Sequence, residues 1–190
     1  MQSQTGELTY EKVDFNNLPV LLDIYHQVWP QKTPHPDYLE KPKYPEDNTN
    51  VSWIIHHGDD VIGIVGVYNF DSDEPGYDQG ESIWMDHFAI LPEFRRRGFG
   101  RQVLLDVINY CRNLQHFKFY RLDTVYYDRR PALFLYDDVM ELREEYTAED
   151  SPSKKQHYLI YSYSLDGSPI KPWNNHFLAL GDSDKDLIII

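Results

Sequence analysis

The chain has 190 residues, of which 41% are hydrophobic and 15% aromatic, enough to bury a substantial core as one compact enzyme-sized domain without metals or staples. Its formal net charge of −13 works against general binding to nucleic acid or anionic membranes, whose phosphates it would repel. A single cysteine, Cys111, excludes an internal disulfide framework.

The first residues carry neither a basic start nor an apolar stretch, and no run of about 18 apolar residues occurs, so a soluble, cytoplasmic chain is expected. Residues 8–13 read as a short strand. Leu18, Leu21, Leu22, Tyr25 and Val28 recur at the spacing of one helix face, and Pro30 ends that helix. Residues 31–50 are rich in proline and charge and lack periodicity, which predicts a long ordered loop or a short helix near a binding surface, or else an adaptable surface loop. Residues 51–56 and 61–68, β-branched and separated by His57-Gly-Asp-Asp60, form a predicted antiparallel hairpin. Residues 71–79 are an acidic loop.

Residues 83–90 predict a strand, and 99–114 a helix whose face is Phe99, Val103, Val107, Cys111 and Leu114, which makes Cys111 a core thiol. A strand follows over 117–126. Pro131 begins a second helix at a position where its missing N–H costs nothing, with Ala132, Leu135, Tyr136 and Val139 on one face. Residues 141–147 and 156–165 read as closing strands. The tail, 166–190, ends in Leu187-Ile-Ile-Ile190, which would pair as an edge strand or dock on a partner chain such as a second copy in a homodimer.

Between the central strand and its helix lies Phe88-Ala-Ile-Leu-Pro-Glu-Phe-Arg-Arg-Arg-Gly-Phe-Gly-Arg101. Gly98 and Gly100 remove side chains where a backbone can approach a ligand, and the first amides of the following helix point outward at the positive end of its dipole. Arg95, Arg96, Arg97 and Arg101 add charge-assisted donors around Phe99, with Glu93 the nearest acid. This is a cradle for a pyrophosphate. A Rossmann fingerprint would need a small residue where Val103 stands, and a P-loop would need Gly-Lys-Ser or Gly-Lys-Thr, so neither applies.

The remaining pattern, Arg-x-x-Gly-x-Gly read as Arg95, Gly98 and Gly100 after a strand ending in Phe88-Ala-Ile90, resembles the acyl-CoA-binding motif of the GNAT superfamily of N-acyltransferases. Ala132-Leu-Phe-Leu-Tyr136 is similar to that family's later Ala-x-x-x-Tyr helix. The resemblance spans roughly residues 6–165. It implies the GNAT fold, an α+β arrangement with a mixed, mostly antiparallel sheet whose central strands splay apart, and thus a GNAT domain over 1–165 with 166–190 as a C-terminal tail. Arg129 stands where the family commonly has asparagine, and Met140-Glu141 replaces a frequent Gly-Phe. Both departures leave the cradle intact.

The resemblance further implies an acetyl-CoA-dependent N-acetyltransferase. The N–H of Phe88 would polarise the thioester carbonyl, Ile90 would pair with the pantetheine amides, and residues 95–101 would hold the pyrophosphate. Tyr136 would protonate the departing thiolate. For the proton lost by the attacking amine, strand alternation puts Trp84, Asp86 and Phe88 on one face, so Asp86 is the first choice of base, ahead of His87 and Glu81. A water chain without a dedicated base is the alternative. No metal-ligand spacing occurs among the histidines, so no metal is expected.

The acceptor that the resemblance implies is a small-molecule or peptide amine. Asp71, Asp73, Glu74, Asp78, Glu81 and Asp86 lie in one stretch without lysine or arginine, which could attract a cation, although a solvated acidic loop is the more common reason for such a run. Two other readings stay open: a non-catalytic acyl-CoA-binding module, and a scaffold using the fold for protein contacts.

Overall fold

The computed structural model describes residues 7–30, 34, 41–43, 45–69, 80–125, 131–151 and 154–173. The acidic run 71–79, Arg129 and the tail beyond 173 lie outside the described residues.

In chain order the elements are β1 (Leu8–Lys12), α1 (Leu18–Val28), a 3₁₀ turn (Lys41–Lys43), β2 (Val51–His57), β3 (Asp60–Asn69), β4 (Ser82–Ile90), a 3₁₀ turn (Pro92–Phe94), α2 (Phe99–Asn113), β5 (Phe119–Val125), α3 (Pro131–Val139), β6 (Leu142–Ser151) and β7 (Lys154–Ser164). The strands form one seven-stranded mixed sheet in the order β1-β2-β3-β4-β5-β7-β6. The chain divides into two compact units, one of residues 1–68 and 85–104, the other of residues 69–84 and 105–190, so that β4 and α2 each contribute to both.

In the first unit, β1 and β2 pair antiparallel with Leu8 opposite His57, and β2 and β3 pair antiparallel with Val51 opposite Val67. The β2–β3 register slips between Ile55 and His56, a bulge that sharpens the local twist. Apolar side chains from α1 (Leu21, Ile24, Tyr25), β2 (Ile54), β3 (Ile64), the end of β4 (Ala89) and Leu91 just beyond it share one buried cluster with Val13. Ile24 joins the face expected of α1, while Leu18, Leu22 and Val28 flank it half-buried. That broad stripe fits a helix lying on a sheet.

In the second unit, β4 and β5 pair in parallel, with residues 82–84 opposite 119–121. β7 then pairs antiparallel with both β5 and β6, joining β5 to β6. β6 and β7 run longer than their apolar patterns predict, since backbone pairing continues through charged residues. On α2, Val103, Val107 and Cys111 are buried as expected, together with Leu104 and Ile108. Burial pushes the Cys111 thiol up to about 12, which makes it an inert core thiol.

The face of α3 differs from expectation. Leu133 and Tyr136 are its buried residues, with Met140 buried just beyond its end, whereas Ala132 is exposed. Leu133 has more apolar surface to remove from water than Ala132, and an i, i+3, i+7 stripe satisfies it.

The segment after β7 ends, among the described residues, at Trp173. That indole is 3% exposed, packs edge-on against Trp84 at 4.8 Å, and its backbone N–H donates to Glu144 at 2.9 Å.

Candidate active site

The exit of β4 is built by tight backbone geometry. Leu91 donates to the Ile62 carbonyl at 2.9 Å, tying the chain to β3, and the turn Pro92–Phe94 then reverses direction. β3 presents glycines where β4 comes closest. A Cβ on Gly63 would strike the Ala89 carbonyl, and one on Gly66 would lie 2.7 Å from the His87 ring. Arg96 adopts φ 61° and Gly98 φ 91°, both in the left-handed region that glycine tolerates and arginine resists.

Gly98 accepts the first helical bonds of α2, from Arg101 at 3.1 Å and Gln102 at 3.2 Å. The amides of Phe99 and Gly100 therefore precede the first intrahelical donor, at the positive end of the helix. Phe99 anchors the turn: it is buried and packs on His57 at 4.9 Å. Residues 95–98 are exposed around it.

Two of the arginines are partly spent inside the turn. Arg95 donates from Nε to the Ile90 carbonyl at 2.7 Å, and Arg97 donates to the Glu93 carbonyl at 2.7 Å while lying over the Phe94 ring. They brace the cradle as well as charging it. The chemistry of this surface, backbone donors at a helix start ringed by Arg95, Arg96, Arg97 and Arg101, fits a pyrophosphate.

Asp86 is the residue whose setting the sequence did not disclose. Its carboxylate forms an ion pair with Lys41, from the 3₁₀ turn after α1, and the side chains are only 5% and 7% exposed. Lys41 also donates to the Val67 carbonyl at 3.2 Å. His87 Nδ1 lies 3.4 Å from the same carboxylate. Burial raises the proton affinity of Asp86, but the Lys41 ammonium and His87 outweigh it and hold the carboxyl well below the usual range. Burial lowers His87 in turn, against the pull of Asp86. The Tyr25 hydroxyl is raised by burial and then by the Asp86 charge.

Of the acidic stretch, the two members among the described residues already have lysine partners. Asp86 has Lys41, and Glu81 receives Lys118 at 2.5 Å and Lys171 at 2.7 Å. Sequence reasoning missed Lys41, although Lys41 and Lys43 are two of the three lysines in the charge-rich stretch 31–50.

Tyr136 belongs to the second unit, on the buried side of α3 and 7% exposed. Its ring stands 5.4 Å from that of Tyr161 on β7. Phe88 and Ile90 lie in the later part of β4, beyond the residues 82–84 that pair with β5. Among the described residues no group of three or more His, Cys, Asp or Glu is arranged to hold a metal ion, and no helix is long and apolar enough to cross a membrane.

Residues 18–140 match the model of the acetyltransferase (GNAT) family. No curated protein matches the chain. Among solved structures, Arabidopsis thaliana NAA60 in complex with a bisubstrate analogue is 16% identical with a TM-score of 0.62, over 85% of this chain and 100% of that one. The same Arabidopsis protein in complex with acetyl-CoA is 15% identical with a TM-score of 0.62, again over 85% and 100%. A spermidine N-acetyltransferase SpeG chimera from Vibrio cholerae and hSSAT is 15% identical with a TM-score of 0.65, over 84% of this chain and 96% of that one. These identities support a shared fold, which agrees with the element order and the mixed seven-stranded sheet. With the family model covering most of the chain, including the strand, the cradle and both later helices, the chain belongs to the acetyltransferase (GNAT) family.

Proposed function

We propose that the chain transfers an acetyl group from acetyl-CoA to a primary amine by direct attack within a ternary complex. The observation that carries this reading is the cradle: an exposed Arg95–Gly98 turn, left-handed at Gly98, feeding straight into the amides that open α2. Residues 95–101 would bind the pyrophosphate, and acetyl-CoA would supply the activated acyl group. The acetyl-CoA complex of Arabidopsis NAA60 supports this choice of donor.

In this reading the Phe88 N–H stabilises the developing oxyanion, an effect of about 3 kcal/mol for one well-placed donor. The amine nitrogen attacks the thioester carbon, the C–N bond forms as the C–S bond breaks, and Tyr136 gives its phenolic proton to the leaving thiolate. Asp86 is a weak base while Lys41 occupies it. The ammonium proton therefore leaves through water, and Asp86 serves to hold the Lys41 turn against β4. The acceptor is a small-molecule or peptide amine, in keeping with the spermidine N-acetyltransferase named among the similar structures. The occupied Asp86 favours one alternative, a protein that binds acyl-CoA without transferring the acyl group.

Calorimetry with acetyl-CoA tests the cofactor assignment, comparing wild type with a Gly98→Asp, Gly100→Asp double variant whose folding is checked by circular dichroism. Binding by wild type alone is expected; no binding of any acyl-CoA by folded wild type would overturn the reading. Thiol release against a panel of polyamines and peptide amines then separates the transferase from the non-catalytic module, and Tyr136→Phe is expected to lower kcat by about 10²-fold or more.

A further inference from the structure

Tyr136 stands beside a hydrogen-bonded assembly that the family motif does not describe. The next residue on α3, Asp137, accepts the Tyr161 hydroxyl at 2.8 Å. Arg143 on β6 reaches the same carboxylate oxygen at 3.3 Å and pairs with Glu145 at 2.5 Å. The Tyr161 ring is tilted by 56° against the Tyr136 ring. Tyr120 on β5 is fully buried, and the Tyr120 and Tyr161 hydroxyls are both raised, first by burial and least by Tyr136.

This arrangement constrains Tyr136 in two ways. The Tyr161–Asp137 hydrogen bond ties α3 to β7 at the residue beside Tyr136, and the Tyr161 ring forms a wall that limits how Tyr136 can turn. The Tyr161 hydroxyl donates its one hydrogen to the Asp137 carboxylate, which fixes the orientation of that group. A carboxylate on the adjacent residue opposes a phenolate at position 136 by like charge, an effect that solvent screens because Asp137 is exposed. Arg143 moderates the effect from the solvent side.

We propose that Tyr161 and Asp137 are positioning residues for Tyr136, fixing its ring and keeping its hydroxyl protonated until a thiolate takes the proton. This rests on the reading of Tyr136 as the acid. It extends that reading from one residue to a three-residue unit spanning α3 and β7, with Arg143 as its charge partner.

The test uses full-length Tyr161→Phe, which keeps the ring, and Asp137→Asn, with Tyr136→Phe as reference. In thiol-release assays both variants should lose about 10-fold in kcat with the KM for acetyl-CoA unchanged, and in Asp137→Asn, which removes the charge, the basic limb of the kcat profile should move toward acid by about half a pH unit. Independently of turnover, NMR titration of ring-labelled tyrosine should show Tyr136 ionising at lower pH in Asp137→Asn than in wild type. An unmoved Tyr136 titration in Asp137→Asn, or variants that lose only stability or only KM, would overturn the proposal. Full activity of Tyr136→Phe would instead sink the acid assignment, with the titration still deciding whether Asp137 acts on Tyr136.

Discussion

Lys41 and Asp86, 45 residues apart in the chain, meet in a buried ion pair that fastens the turn after α1 to the central strand β4. Taking two charges out of water is costly, and their attraction offsets that cost only while both are present. Lys41→Met or Asp86→Asn should each destabilise the fold by about 3–5 kcal/mol, because each strands the other partner. A Lys41→Met, Asp86→Leu double variant should recover most of that loss in urea denaturation. A double variant no more stable than either single one would show that the carboxylate has another essential partner.

His87 supplies a pH dependence whose sign can be worked out. Burial lowers its folded pKa, so the folded state holds it neutral. The stability it confers is then fully present above the unfolded value of about 6.5 and is lost as pH falls through that value toward the folded one. The slope contributed by one such group approaches about 1.4 kcal/mol per pH unit. Asp86, also depressed, adds its own loss only below about pH 3.9. Urea denaturation between about pH 7 and pH 5 should therefore show a slope that His87→Gln flattens.

The same ring explains why β3 needs a glycine at 66. A methyl group there would meet the His87 ring at 2.7 Å, and strand packing leaves the imidazole little room to retreat. Gly66→Ala should cost about 1–3 kcal/mol as an overpacking change, and His87→Ala in the same chain should relieve part of it. Thermal unfolding of the two single variants and the double variant measures that coupling.

The cradle was the most legible part of the chain, because local signals specify it: an apolar strand, two glycines two residues apart, and a periodic helix. Residue identity did not reveal that Arg95 and Arg97 turn back onto the Ile90 and Glu93 carbonyls, since those contacts depend on how the turn closes. The setting of Asp86 was illegible for a different reason. Alternation gave its face of the strand, but its partner lies in a segment without periodicity, and an ion pair across 45 residues leaves no pattern in either neighbourhood. The integration of Trp173 was hidden in the same way, although a tryptophan beyond the last strand is a signal that the chain has more to bury. On α3, the expected face was offset because it counted Ala132, a residue of little apolar surface, and left out Leu133.

Backbone strain at the cradle gives a prediction that separates stability from binding. A left-handed conformation costs a non-glycine residue roughly 1–2 kcal/mol, and Arg96 sits there at φ 61°. Arg96→Gly should stabilise the protein by up to about 1 kcal/mol, net of the greater freedom of glycine in the unfolded chain. It should also weaken acetyl-CoA binding by loss of one cation. Gly98→Ala, at φ 91°, should do the opposite to stability and weaken binding by displacing the first amides of α2. Differential scanning calorimetry and acetyl-CoA titration on both variants test the pair of signs.

Arg121 holds the second unit together from its interior. It is 1% exposed, donates to the hydroxyls of Ser82 and Ser162 at 2.7 Å each and to the Lys171 carbonyl at 2.9 Å, and lies over the Trp173 and Phe119 rings. One guanidinium thus ties β4, β5 and β7 to the segment that follows β7. Arg121→Met removes a hydrogen-bond donor from two buried hydroxyls and one part-buried carbonyl, at about 1–3 kcal/mol for each buried group left unsatisfied. Trp173→Ala should cost about 3–5 kcal/mol, typical of a large buried aromatic. Because the two side chains touch, their effects should fall short of additivity by about 0.5–3 kcal/mol, and a double-mutant cycle in urea reads that term directly. Strict additivity would mean that Arg121 and Trp173 stabilise the unit separately, and that the guanidinium's hydrogen bonds alone hold the segment.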